Sequence, residues 1–251
     1  MRFWKWHALG NSYLIVTDGM KPELARRLCD IRYGVGSDGV VEVVSANGAR
    51  AEIVIWNPDG SVAEFSGNGS RIAAAWLARR AGSAEVTISV GGRSYPAVVR
   101  EDGTIAMAVG NVEVGEIETI ELGDEHLELT AVSVGNPHAV VQIDADRGEL
   151  FRLGPQIEQH ERFPERTNVQ LVRVDGPNEL AVLVWERGAG ETSASGSSAV
   201  AAAAAAVTNG WCESPVTVRM RGGDLVVELD DEAGVTLVGP AEEICEGELR
   251  A

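Results

Sequence analysis

Two serines that each precede a glycine are the residues of this sequence best placed for chemistry. Ser66-Gly67 and Ser195-Gly196 both stand where a charged or glycine-rich turn gives way to an alanine-rich segment, so each is predicted to open an α-helix. The first turn of a helix has backbone N–H groups without partners and the positive end of the helix dipole. Each serine is therefore expected to place a hydroxyl beside a site for a carboxylate or another anion. A purely structural role as the N-cap is the alternative for both.

The sequence around these serines occurs twice. Ser66 and Ser195 are 129 residues apart, and so are Trp56 and Trp185. Other landmarks recur in the same order at separations of 125 to 130 residues: Gly10-Asn11 with Gly135-Asn136, Arg32 with Arg162, and Gly82 with Gly210. We infer an internal duplication, which predicts an α/β protein of two pseudo-symmetric halves. Each half is expected to be a mostly antiparallel or mixed sheet wrapped around a central alanine-rich helix.

The duplication also predicts the domain organisation. The first half is expected to comprise residues 1–114 together with about residues 240–251, and the second half residues 115–239. Pockets favour interfaces between such halves, so the active site is expected in a cleft between them.

Composition narrows the classes of function. The formal net charge of −17 argues against a nucleic-acid partner, and it requires an anionic ligand to be held locally by helix starts and single arginines. The longest uninterrupted apolar run has nine residues, which is too short for a membrane span, and the N-terminus lacks the features of a signal peptide. Three cysteines without metal-type spacing favour a reducing cytoplasm and no metal site. The only lysines, Lys5 and Lys21, are predicted in a strand and a loop, which speaks against pyridoxal phosphate.

Two other motifs give only weak support for a dinucleotide site and for a serine hydrolase. Gly34-Val-Gly-Ser-Asp-Gly39 matches the dinucleotide fingerprint, but a predicted helix precedes it and a strand follows it, the reverse of the required order. A serine hydrolase assembled from Ser195, His138 and Glu186 is a remote alternative, because no spacing favours it.

Nearly the whole chain resembles the diaminopimelate epimerase family. The motifs that carry the resemblance are His7-Ala-Leu-Gly-Asn11, Gly34-Val-Gly-Ser-Asp38, Asn57-Pro-Asp-Gly60, Gly67-Asn-Gly69 with Arg71, Val134-Gly-Asn-Pro-His138, Phe163-Pro-Glu-Arg-Thr-Asn168, Glu186-Arg-Gly-Ala-Gly-Glu-Thr192 and Gly196-Ser197. The resemblance implies cofactor-independent epimerisation of LL- and meso-diaminopimelate in lysine and cell-wall synthesis. It implies a small amino-acid substrate and no cofactor, and it is compatible with a homodimer.

The resemblance also assigns roles to residues. In this family two cysteine thiols exchange the α-proton from opposite faces, while two helix starts stabilise the charge on the reacting carboxylate. Ser66 and Ser195 occupy these two catalytic positions, and His138 and Glu186 are expected to modulate them. Substrate binding is assigned to ten residues: Asn11, Asn57, Gly67, Asn68, Asn136, Asn168, Glu186, Arg187, Gly196 and Ser197.

Serine at both cysteine positions departs from the family pattern. A thiol with an unperturbed pKa of about 8.5 is roughly 3% thiolate at pH 7. A serine hydroxyl is a far weaker acid, and it acts as a base only if a neighbour takes its proton. Three readings stay open: epimerisation through hydroxyls activated by His138 and Glu186, a related isomerisation or dehydration that needs one hydroxyl, and amino-acid binding without turnover in a natural relative or a Cys→Ser variant.

Overall fold

The computed structural model describes residues 1–230 and 234–249, so residues 250 and 251 of the expected first half lie outside the described part. The chain divides into two compact units. One unit is formed by Met1–Ala108 with the C-terminal segment from Val238, and the other by Val109–Leu237. Residues 109–114, which the sequence assigned to the first half, belong to the second unit.

The first unit contains most of the N-terminal elements. These are β1 (Arg2–Ala8), β2 (Asn11–Val16), α1 (Pro22–Cys29), β3 (Val40–Asn47), β4 (Arg50–Trp56), β5 (Val62–Ala63), α2 (Gly67–Ala81), β6 (Glu85–Val90), β7 (Arg93–Val99) and the start of β8 (Ile105–Asn111).

The second unit begins with the strand β9 and repeats this order from β10 onwards. Its elements are β9 (Glu113–Leu122), β10 (Glu125–Ser133), β11 (Pro137–Gln142), α3 (Arg147–Glu158), β12 (Asn168–Gly176), β13 (Glu179–Glu186), β14 (Gly190–Thr192), α4 (Gly196–Thr208), β15 (Val216–Met220), β16 (Gly223–Leu229) and the start of β17 (Gly234–Gly239). The last strand, β18 (Glu242–Glu248), pairs antiparallel with β1 in the first unit.

Strand pairing follows the same scheme in both units. In the first unit β1–β2 is antiparallel, β2–β3 parallel, β3–β4 antiparallel and β4–β6 parallel. In the second unit β10–β11 is antiparallel, β11–β12 parallel, β12–β13 antiparallel and β13–β15 parallel. Each parallel pair encloses a helical crossover, as parallel neighbours require. The predicted mixed sheets and duplicated α/β halves are confirmed.

The two alanine-rich helices form the centre of their units. Eleven of the fifteen residues of α2 and ten of the thirteen residues of α4 are buried. Alanine has the best helix propensity, and its short side chain allows the surrounding strands to pack closely on every face of the helix. Gly82, predicted to end the first of these helices, is the C-cap of α2 with a left-handed φ of 64°, which glycine adopts without strain.

The shorter helices pack on the outer parts of the cores. In the first unit, Leu28 of α1 lies in a cluster with Leu14 and Val40 of the adjacent parallel strands. In the second unit, Leu150 and Leu153 of α3 lie in a larger cluster with residues of β10, β11 and β12. Strands β10, β11 and β12 also contact α4, and β2 also contacts α2.

Candidate active site

Ser66 is the N-cap of α2, as its sequence context predicts. Its backbone is extended, with φ −141°, and its Oγ accepts a hydrogen bond of 3.1 Å from the backbone N–H of Gly69. The hydroxyl of Tyr13 lies 3.1 Å from the same Oγ. The Ser66 hydroxyl is thus half-exposed at the helix start and oriented by two neighbours.

A buried arginine stands one turn into α2. Arg71 donates from Nη2 to Asn68 Oδ1 at 2.7 Å and from Nη1 to the Gly67 carbonyl oxygen at 3.2 Å. Within the described residues it has no carboxylate partner, and its Nε has no hydrogen bond. Burial lowers the pKa of Arg71 to about 10, so the guanidinium remains charged at neutral pH. It adds positive charge to an N-terminus that is already positive.

Asn68 connects this charge to Asn11. Because Arg71 can only donate, Asn68 must turn its Oδ1 towards the guanidinium. Its Nδ2 then donates to Asn11 Oδ1 at 3.2 Å. Two of the predicted substrate-binding asparagines are therefore linked to each other and to the first turn of α2.

Ser195 occupies the equivalent N-cap position of α4 but differs in its contacts. Its backbone is extended, with φ −142°, yet its side chain makes no hydrogen bond to the first turn. Ser195 is 7% exposed, and the Ser198 side chain one turn further on is fully buried. The hydroxyl of Ser195 is therefore not engaged in capping.

His138 lies fully buried on β11, beneath the start of α4. Gln170 of the neighbouring strand β12 donates from Nε2 to His138 Nδ1 and to Ser198 Oγ, both at 3.0 Å. The other ring nitrogen, Nε2, is 3.1 Å from Asn136 Oδ1. Burial, with a smaller contribution from the charge of Arg187, lowers the pKa of His138 to about 3. The imidazole is therefore neutral, and both its nitrogens are occupied.

These contacts bear on the hydrolase alternative. A serine hydrolase needs a histidine nitrogen hydrogen-bonded to the nucleophile. Both nitrogens of His138 are bonded to amides instead, and Ser195 is not among their partners. The arrangement of a catalytic triad is thus not present in the described residues of the second unit.

Asn168 holds two loops together. Its Nδ2 donates to the Pro137 carbonyl oxygen at 2.9 Å, and its Oδ1 accepts from the backbone N–H of Arg187 at 3.0 Å. One N–H of the amide remains for a ligand. The Arg187 guanidinium is exposed and donates to the Glu165 carbonyl oxygen at 3.1 Å.

Glu186 ends β13 next to this arginine. Thr192 donates to Glu186 Oε1 at 2.7 Å. Burial raises the pKa of this carboxyl above its ordinary value, and the threonine hydrogen bond opposes the rise. A half-buried carboxylate beside an exposed guanidinium can bind the ammonium and carboxylate groups of an amino acid.

Asn57 lies in a separate turn of the first unit. Its Nδ2 donates to Ser61 Oγ at 2.9 Å, and the Gly60 N–H donates to its carbonyl oxygen at 2.9 Å. Asn57 Oδ1 is left for other partners. Within the first unit, the contacts thus join Asn11, Gly67 and Asn68, whereas Asn57 is held by its own turn.

Sequence reasoning missed two polar residues in the second unit. Gln170 and Ser198 were not predicted as site residues, although both are fully buried and both contact the His138 network. A signal existed for Gln170, since it is a lone amide in the apolar strand segment Asn168-Val-Gln-Leu-Val172. Buried amides need hydrogen-bond partners, so such a position points to a polar network.

Backbone strain marks the same regions. Leu9 and Arg166 are the non-glycine residues with positive φ in the described chain, at 53° and 62°. Leu9 lies two residues before Asn11, and Arg166 two residues before Asn168. Left-handed backbone at bulky residues is uncommon, and it concentrates where function fixes a loop.

Other features do not coincide with these residues. A cavity of about 620 Å³ in the first unit is lined by Trp4, Trp76 and Cys245 with their neighbours, and by none of the predicted site residues. Among the described residues, no three His, Cys, Asp or Glu side chains are grouped to bind a metal ion. No described helix has the length and apolarity needed to cross a membrane.

Comparison with known proteins identifies the family. The model of the diaminopimelate epimerase family matches residues 3–115 and 130–244. Diaminopimelate epimerase of Desulforudis audaxviator is 40% identical over 98% of this chain and 98% of its own length. That of Pelotomaculum thermopropionicum is 38% identical over 99% of this chain and 98% of its own length.

Solved structures agree in fold. A predicted epimerase from Pseudomonas aeruginosa superposes with a TM-score of 0.74 at 17% identity, covering 100% of this chain and 99% of that one. A hydroxyproline epimerase from Agrobacterium vitis has a TM-score of 0.72 at 15% identity, with coverage of 98% and 91%. The family is shown by sequence identities of 34 to 40% to diaminopimelate epimerases over nearly the full length of the chain. This chain belongs to the diaminopimelate epimerase family.

Proposed function

We propose that this protein interconverts LL- and meso-diaminopimelate by proton exchange at one α-carbon, without a cofactor. The observation that carries the proposal is the pair of buried helix starts at Gly67 and Gly196, each preceded by a serine at a catalytic position of the family. Free backbone N–H groups there can hold the reacting carboxylate and stabilise the negative charge that builds up when the α-proton leaves.

The rest of the substrate is recognised by groups of both signs. Glu186 suits the ammonium group of the second amino-acid centre, and Arg187 with Asn168 suits its carboxylate. These three residues are connected through β13, the Arg187 N–H and the Asn168 amide. Asn57, Asn136 and Ser197 complete the proposed substrate contacts. A small zwitterionic molecule is thus favoured over a macromolecule as the partner.

Ser66 and Ser195 are proposed to transfer the protons. The chemistry requires one group to remove the α-proton and another to deliver a proton from the opposite face. Neither hydroxyl has a basic partner among the described contacts: Ser66 meets a backbone N–H and Tyr13, and His138 is neutral with both nitrogens occupied. We therefore propose that the protein has the groups needed to bind the substrate, but that proton transfer is slow and limits turnover.

The cellular setting follows from the same reasoning. Cys29, Cys212 and Cys245 are free thiols, which supports a reducing cytoplasm. The reaction would serve lysine and cell-wall synthesis there, as the family resemblance implies, without pyridoxal phosphate. A homodimer is the proposed assembly, on the family resemblance alone.

Deuterium exchange tests the function directly. LL-diaminopimelate incubated with the protein in D₂O should lose its α-proton signal in the NMR spectrum and give the meso form. The matched control is the Ser66→Ala/Ser195→Ala protein, which keeps both helix starts but lacks both hydroxyls. Equal exchange rates for the two proteins would refute catalysis by the serines, and a titration showing saturable binding in both would leave an amino-acid-binding protein.

A further inference from the structure

We propose that Gln170 is a positioning residue that holds His138 in one tautomer and thereby turns the amide N–H₂ group of Asn136 towards a substrate carboxylate. This inference rests on the proposed function for the identity of the ligand. The relay itself consists of four side chains, Ser198, Gln170, His138 and Asn136, which are connected by hydrogen bonds of 3.0 to 3.1 Å.

The direction of each hydrogen bond follows from donor chemistry. An amide N–H₂ group only donates, so His138 Nδ1 must accept from Gln170 Nε2 and carries no proton. A neutral imidazole has one proton, which therefore resides on Nε2. That N–H donates to Asn136 Oδ1 at 3.1 Å. The oxygen of Asn136 is then occupied, and its Nδ2 has no partner among the described residues.

The orientation of the Gln170 amide decides this outcome. In the observed orientation, Oε1 is the buried atom left without a hydrogen bond within the described chain. Exchanging the two ends would instead bury an unpaired N–H₂ group. An under-satisfied carbonyl oxygen is the more common of the two in proteins. Nε2 therefore faces His138 and Ser198.

In the first unit, different residues give the equivalent asparagine amide the same orientation. There Arg71 donates to Asn68, and Asn68 donates to Asn11 Oδ1. Asn11 and Asn136 occupy equivalent positions in the duplication, and each has its oxygen occupied from within. Within its own unit, each asparagine thus has an N–H₂ group without a partner among the described residues.

The relay also explains why His138 is buried without a carboxylate partner among the described residues. A protonated imidazole would have to donate from Nδ1 to an N–H₂ group, which cannot accept. The ring therefore transmits orientation and does not act as a base towards Ser195. Asn136, not His138, is the member of the relay expected to touch the substrate.

Two substitutions at one position test the relay. Gln170→Glu places a carboxylate against His138 Nδ1, which should move the proton to Nδ1, leave Nε2 as an acceptor, and turn Asn136 so that its oxygen faces the ligand. Gln170→Met has similar volume and forms no such hydrogen bonds, so it serves as the matched control with mixed tautomers. Nitrogen-15 NMR of histidine-labelled, ligand-free protein reads the tautomer of His138.

We expect the Nε2–H form in the wild-type protein and the Nδ1–H form in Gln170→Glu. The Kd for LL-diaminopimelate, measured by calorimetry, should rise about tenfold in Gln170→Glu, the loss of one hydrogen bond to a charged group. The Gln170→Met protein should fall between the two. In exchange kinetics, KM should rise with Kd while kcat changes less.

Two results would overturn the relay: an Nδ1–H tautomer in the wild-type protein, or an unchanged Kd in a Gln170→Glu protein whose tautomer has switched. Failure of the proposed function is distinguishable. It would appear as absent α-proton exchange, whereas the tautomer is read in ligand-free protein and needs no turnover.

Discussion

The starts of α2 and α4 occupy equivalent places in a duplicated fold, but they differ in charge. At α2, Ser66 caps the helix and Arg71 supplies a buried cation. At α4, Ser195 leaves the first turn uncapped, and the residue equivalent to Arg71 is the apolar Val200. The duplication has therefore kept the backbone geometry of the two helix starts while placing the positive charge in one of them.

The strands beneath the two helices compensate for this difference. Tyr13 and Val41 of the first unit are equivalent in position to His138 and Gln170 of the second. In the first unit, Arg71 orients the site asparagine through Asn68, and the strand position equivalent to Gln170 is the apolar Val41. Where the arginine is absent, an amide and an imidazole take over the orientation of the site asparagine. Equivalent asparagines are thus oriented alike by unrelated chemistry.

Introducing sulfur at both helix starts should have the largest effect. The double variant Ser66→Cys/Ser195→Cys should exchange the α-proton of LL-diaminopimelate about 10²- to 10⁴-fold faster than the parent, the range typical of a well-matched acid–base group. The reason is that a cysteine at a helix N-terminus forms a thiolate, which can remove the α-proton. A serine rarely forms an alkoxide at neutral pH. NMR in D₂O measures the rate.

Single variants show whether the two starts are interchangeable. Ser66→Cys and Ser195→Cys alone should each gain little, because proton exchange needs a competent group on both faces. If one single variant matched the double variant, the two-group mechanism would be wrong, and the two helix starts would differ in role as well as in charge.

The stability of the protein should decrease in acid, because His138 of the second unit is held neutral. Since the folded pKa of His138 is about 3 and the unfolded value is near 6.5, the unfolded chain binds one more proton between these limits. The free energy of unfolding should therefore decrease as the pH falls from 6.5 towards 3. The slope of the free energy of unfolding against pH should be about 1.4 kcal/mol per pH unit steeper in the parent protein than in the His138→Gln protein. Urea unfolding at several pH values measures it.

Taking the difference between the two proteins cancels the contribution of Glu186, whose raised pKa acts in the opposite direction. Tyr13→Phe in the equivalent position of the first unit is the matched control and should leave the slope as it is in the parent. A parent protein with the same slope as His138→Gln would show that the imidazole is not held neutral.

The charge difference should also appear in thiol acidity. The thiol of a cysteine at position 66 would be acidified by Arg71, the helix dipole and the Gly69 N–H, whereas at position 195 the dipole acts without an equivalent cation or cap hydrogen bond in α4. The thiol pKa in Ser66→Cys should therefore be lower by roughly one unit. The pH dependence of iodoacetamide alkylation measures it, in a Cys245→Ser background because Cys245 is the exposed native thiol. Equal pKa values would remove Arg71 from the electrostatics of the site.

The helix starts could be predicted from the sequence because their signals are local. A serine, a glycine and an alanine-rich run are adjacent along the chain, and Gly82 ends α2 where expected. The repeat of these signals at a separation of 129 residues then predicted the duplicated architecture. Both depend on backbone propensity, which the sequence expresses within a few residues.

The hydrogen-bond relay could not be predicted in the same way. Gln170 contacts His138 across 32 residues of sequence, and the contact depends on the parallel register that places His138 beside Asn168. A single-residue shift of that register would send Gln170 to the other face of the sheet. The role of Arg71 was likewise hidden, because a charged residue on a helix is usually exposed, whereas this one is buried without a carboxylate partner in the described part of the chain.

The smallest effect expected is on stability and separates the two serines as caps. Ser66→Ala removes the acceptor of the Gly69 N–H and should lower the free energy of unfolding by about 1 kcal/mol, the usual cost of losing an N-cap. Ser195→Ala removes no such bond and should stay within about 0.5 kcal/mol of the parent. Urea denaturation of the two single variants measures both values. Equal losses would mean that Ser195 also caps its helix in solution, and that the two helix starts differ by the charge of Arg71 alone.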